Sequence, residues 1–287
     1  MRILAAALLI VVSALSVSVA RSRQEAPQPQ TVRRPRIVTE LSELLTHSPL
    51  VKCRESGARA ADGAKPLRIG TWNIRAAQSA PVDTLAAEIR AMQVDVLALQ
   101  EVDVRTRRGG FVDEPVELAT ALGLNYVFAA SIKWDEGHYG LAVLSRWPLV
   151  SVERHRLNST PEAEPRIVLD VTVCAAGRPL HVLNHHADRR TESRALGFAD
   201  LRQIVKSHFG RGILVLGDLN EYSDAPGVRS LIDGGFVDLS ADSPPTVGTG
   251  RVDYLLADPP LARLASTARV WTTDKSDHHA VLADLAW

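Results

Sequence analysis

Residues 213–218, "ILVLGD", are a short apolar run that stops at an acid. Six residues are too few for a stable helix, and an unbroken apolar run of this length reads as a strand buried on both faces. The same design recurs along the chain. "LRIGTWNI" (67–74) carries Asn73, "DVLALQ" (95–100) runs into Glu101, and "PLHVLNHH" (179–186) ends in Asn184, His185 and His186, followed by Asp188. "VDYLL" (252–256) carries Asp253, and Asp277 and His278 stand just before "AVLADL" (280–285). After "ILVLGD" the chain continues with Asn220 and a Ser/Asp/Pro turn. One such acid is an ordinary turn residue. Repeated strand ends that supply acid, amide or imidazole at the mouth of an apolar layer point to a site, because a buried carboxylate is costly unless paired or metal-bound.

Between these strands the period changes. "PVDTLAAEIRAM" (81–92) places Val82, Leu85, Ala86, Ile89 and Met92 on one helical face. "EPVELATAL" (114–122) has Pro115 near its start and Gly123 after its end, as a helix does. "YVFAAS", "GLAVLS", "RIVLDVTVC" and "PLHVLNHH" then follow with short turns and no helix, so they are expected to be antiparallel. The longest helix is expected over 191–209 with Thr191 as its cap, and a short one over 39–45 capped by Thr39. Strands of both kinds with helices between them predict two packed sheets covered by helices.

The N-terminus is organised differently. Residues 1–20 pair an early Arg with a long apolar stretch and a small-residue ending, the pattern of a secretory signal cleaved after Ala20. The alternative is an uncleaved membrane anchor, with Arg21, Arg23, Arg33, Arg34 and Arg36 on its far side. Residues 21–66 read as a Pro- and Arg-rich linker with the short helix, and 67–287 as the compact domain. Cys53 and Cys174 are the only cysteines. In an oxidising compartment they could pair, and otherwise they are two thiols. Lys+Arg and Asp+Glu balance at 33 each, which argues against a broad nucleic-acid-coating surface. Nothing asks for an obligate protein partner, and a monomer is expected. "LSRWP" and "NSTP" lack the elbow of a serine hydrolase.

"TWNI", "LALQEV", "YGLAVLSRWPL", "EPRIVLDV", "NHHAD", "GDLN", "RVDYLL" and "SDHHAV" occur in that order over residues 67–287. In this the chain resembles the endonuclease/exonuclease/phosphatase superfamily, which includes DNase I-like nucleases, exonuclease III-like repair enzymes, neutral sphingomyelinases and inositol-polyphosphate 5-phosphatases. The resemblance implies a four-layered α/β sandwich, two mixed β-sheets face to face with helices outside. It implies hydrolysis, by water attack at phosphorus, of a phosphodiester (nucleic acid or the head group of a phospholipid or sphingolipid) or of a phosphomonoester. It also implies Mg2+, with Mn2+ as the other option, and hard oxygen ligands suit both ions.

The implied roles fall residue by residue. Glu101 is the main metal ligand, with Asn73 and Asp277. Asp218 orients or deprotonates the attacking water and Asn220 holds it. His278 donates to the phosphoryl group with Asp253 behind it. His186 is a second donor, chosen over His185 because it takes the position of the family block's histidine. Arg166 and Tyr139, from "EPR" and "YG", support the site and the substrate. "RTRR" (105–108) and "DRR" (188–190) either contact phosphates or form a locally paired surface. A non-catalytic binder keeping the fold and a membrane-tethered family member are the alternatives.

Overall fold

The structure is a computed structural model that describes residues 44–53, 66–266 and 268–287. The signal or anchor, most of the linker and the start of the expected helix at 39–45 lie outside these residues. Thirteen strands run in order: β1 Leu45–His47, β2 Leu67–Asn73, β3 Val96–Val104, β4 Asn125–Trp134, β5 Gly137–Ser145, β6 Leu149–Arg156, β7 Ile167–Ala175, β8 Arg178–His186, β9 Ile213–Asp218, β10 Val237–Asp238, β11 Asp253–Ala257, β12 Arg269–Trp271 and β13 Ala280–Leu285. The helices are α1 Val82–Met92, α2 Glu114–Leu122, α3 Thr191–Lys206, α4 Pro226–Ile232 and α5 Pro259–Ala262.

The strands form two sheets. One has seven, in the order β1-β4-β5-β3-β2-β13-β12, and the other six, in the order β10-β11-β9-β8-β7-β6. Both are mixed. β2 and β3 are parallel, as are β8 and β9, and the other pairs are antiparallel. Each parallel pair needs a crossover, and the amphipathic helices α1 and α3 supply them.

Side-chain alternation along the strands makes the layers. Leu67, Ile69, Val96, Ala98, Val182, Leu214, Leu216 and Leu255 pack together between the sheets. Their neighbours face out: Trp72, Leu97 and Leu99 meet Leu85, Ile89 and Met92 of α1. Leu183, Val215 and Leu256 meet Phe198 and Leu201 of α3 and Val228 of α4. Strands buried on both faces explain the unbroken apolar runs of the sequence.

Several local expectations differ. Leu45 begins a strand, β1, that extends the sheet beside β4, so the helix expected over 39–45 does not reach it. This segment precedes Leu67, and its Cys53 is disulfide-bonded to Cys174 of β7. Thr191 is the first helical residue of α3 rather than its cap; Arg190 holds the cap position, and its N–H donates to Asp188 Oδ1 at 2.6 Å. The helix stops at Lys206, short of Phe209. Strand β6 was not expected despite its alternation, and strands β10 and β12 and the short helices α4 and α5 carry too little periodicity to be read from sequence.

Candidate active site

The inter-sheet layer changes character at one end. Continuing the two-residue period, β2 follows Leu67 and Ile69 with Thr71 and Asn73, β3 follows Val96 and Ala98 with Gln100, and β8 follows Leu180 and Val182 with Asn184 and His186. β9 follows Leu214 and Leu216 with Asp218, and β11 places Asp253 in phase with Leu255 and Ala257. Register aligns these ends across the second sheet, where Asp218 sits opposite both His186 and Asp253. The polar cluster is therefore the inward face of the core, carried one step past its apolar part.

Its bonds are specific. Asn73 Nδ2 donates to Glu101 Oε1 at 3.0 Å and to Asp218 Oδ2 at 3.2 Å, while Asn73 Oδ1 accepts from Arg75 N at 3.0 Å. Carboxylates on one side and an N–H on the other fix which way the amide points. His278 Nδ1 lies 2.9 Å from Asp253 Oδ2, and its Nε2 faces Asp218 Oδ2 at 3.8 Å. His186 Nε2 approaches the same Asp218 oxygen at 3.4 Å. Arg166 Nη1 is 3.1 Å from His186 Nδ1 and 3.0 Å from Glu164 Oε1. A guanidinium only donates, so Nδ1 of His186 accepts and its Nε2 carries the proton. Asn220 N donates to Asp218 Oδ1 at 3.0 Å, and its side-chain amide donates to Ala187 O at 3.0 Å. The Arg166 charge also acts on the Tyr139 hydroxyl.

The two imidazoles are driven apart. Burial alone would lower the His278 pKa, but the hydrogen bond and charge of Asp253, with Asp218 adding to them, overcome it and raise it to about 9. His186 is held well below its ordinary value, by burial first and by the Arg166 charge second. At neutral pH one ring is a cation and the other a neutral donor. Burial, then the Asp253 charge, raise Asp218 well above an ordinary carboxylate.

The backbone turns sharply where strands deliver these groups. Glu101 sits at a register shift in β3 with φ 55°, Asn220 follows β9 with φ 48°, and Arg75–Ala77 after β2 have φ 51°, 48° and 49°. Left-handed non-glycine residues cost about 1–3 kcal/mol each and cluster at functional sites. Gly217, with φ 141°, is needed for another reason: a Cβ there would stand 1.9 Å from His185 O.

The structure thus gathers Asn73, Glu101, Asp218, Asn220, Asp253, His186, His278, Arg166 and Tyr139. Asp277 is the exception; its carboxylate is 44% exposed, ion-pairs Arg75 at 3.5 Å and accepts from Ser276 Oγ. His185 turns to the opposite face of β8, donates to Ile167 O and meets Phe198 edge-on. The local arginines are mostly paired: Arg105 with Asp113, Arg107 with Glu136 and Arg108 with Asp103. Sequence reasoning passed over Gln100, whose amide donates to Asn184 Oδ1 at 2.7 Å and ties the two sheets together beneath the site. Glu164 and Ser276 were also missed, the latter donating to Asn73 O at 2.7 Å. Counting parity from Val96 would have placed Gln100 on the inward face.

The donor set fits a hard divalent cation. Carboxylate oxygens of Asp218 and Asp253 lie within 4.8 Å of one another beside His278, whose protonated ring is not a ligand, Asn73 links Glu101 to the same group, and buried Asp253 Oδ1 has no hydrogen-bond partner. Three carboxylates around one imidazolium leave surplus negative charge, and oxygen donors suit Mg2+ or Mn2+.

A helix-flanked double sheet with an acid–imidazole cluster at one end of its inter-sheet core defines a DNase I-like class of protein. Residues 70–278 match the model of the Endonuclease/Exonuclease/phosphatase family, and the chain belongs to that family, whose members hydrolyse phosphoester bonds. It is similar to YbhP, an uncharacterized protein of Escherichia coli, at 28% identity over 149 residues, 47% of this chain and 56% of that relative. The chain is matched over only about half the length of such relatives. Among solved structures it resembles a mannosyl-6-phosphatase of Bacteroides thetaiotaomicron, with TM-score 0.64, 16% identity, and 77% of this chain and all (100%) of that one covered. It also resembles an AP endonuclease of Archaeoglobus fulgidus, with TM-score 0.58, 19% identity and 76% and 99% coverage. At such identities these two likenesses concern the fold.

Proposed function

We propose that this chain is a Mg2+- or Mn2+-dependent phosphoester hydrolase acting by attack of water at phosphorus. The observation that carries the reading is the pairing of a cationic His278, backed by Asp253 at 2.9 Å, with Asp218 and a neutral His186 in one cluster. A cation, held by Glu101 with Asn73 beside it, would offset charge on the phosphoryl oxygens. Asp277 would join it only by turning away from Arg75.

The chain's own groups supply the rest. Asp218, raised toward neutrality by burial, accepts a proton from the attacking water, and Asn220 N and Asn73 Nδ2 hold its carboxylate in place. His278 donates from Nε2 to a phosphoryl oxygen with its full positive charge, a form of preorganised stabilisation. His186 donates a neutral N–H from Nε2, oriented by Arg166 at Nδ1. Tyr139 keeps its proton, because burial and the Glu101 charge push its pKa up.

Structural neighbours whose names concern a sugar phosphate and abasic DNA support both monoester and diester substrates. The Cys53–Cys174 disulfide supports export to an oxidising compartment, in line with the secretory pattern of residues 1–20. No helix among the described residues is long and apolar enough to cross a membrane. The test is a panel of duplex DNA, RNA, sphingomyelin, phosphoinositides and sugar phosphates, each with chelator and with Mg2+ or Mn2+ restored. Turnover of at least one, abolished by chelation and recovered with metal, is expected. A fold-retaining binder would bind a phosphate ester and turn over none.

A further inference from the structure

Behind Arg166, on the α3 side of β8, lies a small cavity whose lining includes Arg166, His185, Asp188, Ser193 and Arg194. Arg194 is already engaged by Glu221 and by the carbonyls of Asp188 and Arg189. The centre of a water-sized sphere has about 10 Å3 to move in there, room for about one molecule. Three of the lining residues carry a buried polar atom without a protein partner: Arg166 Nε, His185 Nε2 and Ser193 Oγ. His185 and Ser193 are 1% and 2% exposed, so bulk solvent does not satisfy them. Three orphans around one cavity are not expected of a native interior unless something bonds them.

We propose that one internal water molecule occupies this cavity, and that through it His185 and Ser193 act as positioning residues for Arg166. The donor count singles out water. Arg166 Nε–H can only donate. His185 Nδ1 lies 3.0 Å from Ile167 O, so Nδ1 carries the proton and Nε2 is left as an acceptor. Burial keeps this ring neutral, its pKa lowered to about 4. A water accepts from Arg166, donates to His185, and has a lone pair and a proton left for the Ser193 hydroxyl. An anion would face the His185 lone pair and the Asp188 carboxylate, and a metal cation would face the guanidinium. Neither matches.

The consequence reaches the site. Arg166 Nη1 contacts His186 Nδ1 at 3.1 Å, and Nη1 also meets Glu164. Those contacts alone leave the guanidinium plane free to tilt. A third anchor at Nε, fastened to β8 and to the first turn of α3, fixes the plane and with it the His186 ring.

A crystal structure that shows ordered solvent tests the first part directly. One water within hydrogen-bonding distance of all three atoms is expected, while an empty cavity, an anion or a cation there would overturn the proposal. The second part rests on the phosphoesterase reading and is tested with His185→Leu and His185→Gln, the latter restoring an acceptor near the Nε2 position. His185→Leu is expected to lower kcat roughly 10-fold with KM held within about twofold, and His185→Gln to recover most of that loss. Equal kcat in the two variants, or losses that follow Tm alone, would contradict it. If the wild-type chain proved inactive, the crystallographic result would still decide whether the water exists.

Discussion

In the proposed chemistry His278 carries the positive charge, and that charge depends chiefly on Asp253. Asp253→Asn removes the hydrogen-bonded charge that holds its pKa near 9, so the ring should titrate near or below the ordinary 6.5 of histidine. Histidine Cε1–H shifts measured by NMR against pH would show this. In the rate profile, the alkaline limb should move to lower pH, with a larger loss at pH 8 than at pH 6. Stability carries the same sign. A raised folded pKa adds stability that is complete below the unfolded value of about 6.5 and fades as pH rises through about 9. His278 should therefore contribute least to Tm under alkaline conditions, and the Asp253→Asn variant should lose less Tm there than at pH 6. Which histidine matters was legible at this scale only through the block resemblance that favoured His186 over His185. The two-residue period supplies the physical reason, since alternate residues of β8 face opposite layers. The pKa split was not legible, because it depends on Arg166 and Asp253, which reach the rings from other strands.

Among the elements, the pair β8–β9 sets the spacing of His186 and Asp218, and Gly217 sets the pair. A Cβ at Gly217 would stand 1.9 Å from His185 O, on a backbone with φ 141°. Gly217→Ala should cost roughly 2–4 kcal/mol in denaturant melts and lower activity further by separating the two strands. Helix α2 offers an opposite case. Burial raises the pKa of Glu114, in its first turn, to about 8, although its carboxylate accepts from Asp103 N at 2.9 Å. An acid raised on folding binds its proton more tightly in the native state, so stability falls as pH climbs from about 4.5 through about 8. Glu114→Gln keeps an acceptor for Asp103 N, and should raise Tm at pH 9 while leaving it nearly unchanged at pH 4. Helices α1 and α2 and the strands carrying Asn73, Glu101, His186 and Asp218 could be read directly, because each shows a clean period or an unbroken apolar run. β6, with its alternating "LVSVERHR", lies beside β7 at the sheet edge, and β1, β10 and β12 are two or three residues long. Such short segments are fixed by the sheet they join rather than by their own sequence.

For the whole molecule, two sheets meeting face to face bring together residues as distant as Asn73 and Asp218, and the covalent tie between Cys53 and Cys174 holds the upstream segment to β7. With a sequence separation of 121 between its cysteines, the bond should stabilise by roughly 2–4 kcal/mol. Cys53→Ser should lower the denaturant midpoint accordingly, and alkylation should label neither thiol until reductant is added. The double sheet could be anticipated from the mixture of strand runs and helices, but the pairing of cysteines could not, since spacing alone does not tell which chain segments adjoin. The central claim is that the gathered acids, amides and imidazoles hold a divalent ion against a phosphate. Its most direct test is steady-state hydrolysis of a chromogenic phosphodiester by wild type, Glu101→Gln and His278→Ala, with and without Mg2+. The account predicts metal-dependent turnover in wild type and a loss of about 100-fold or more in each variant; near-native rates in both variants, or wild-type turnover indifferent to chelation, would contradict it.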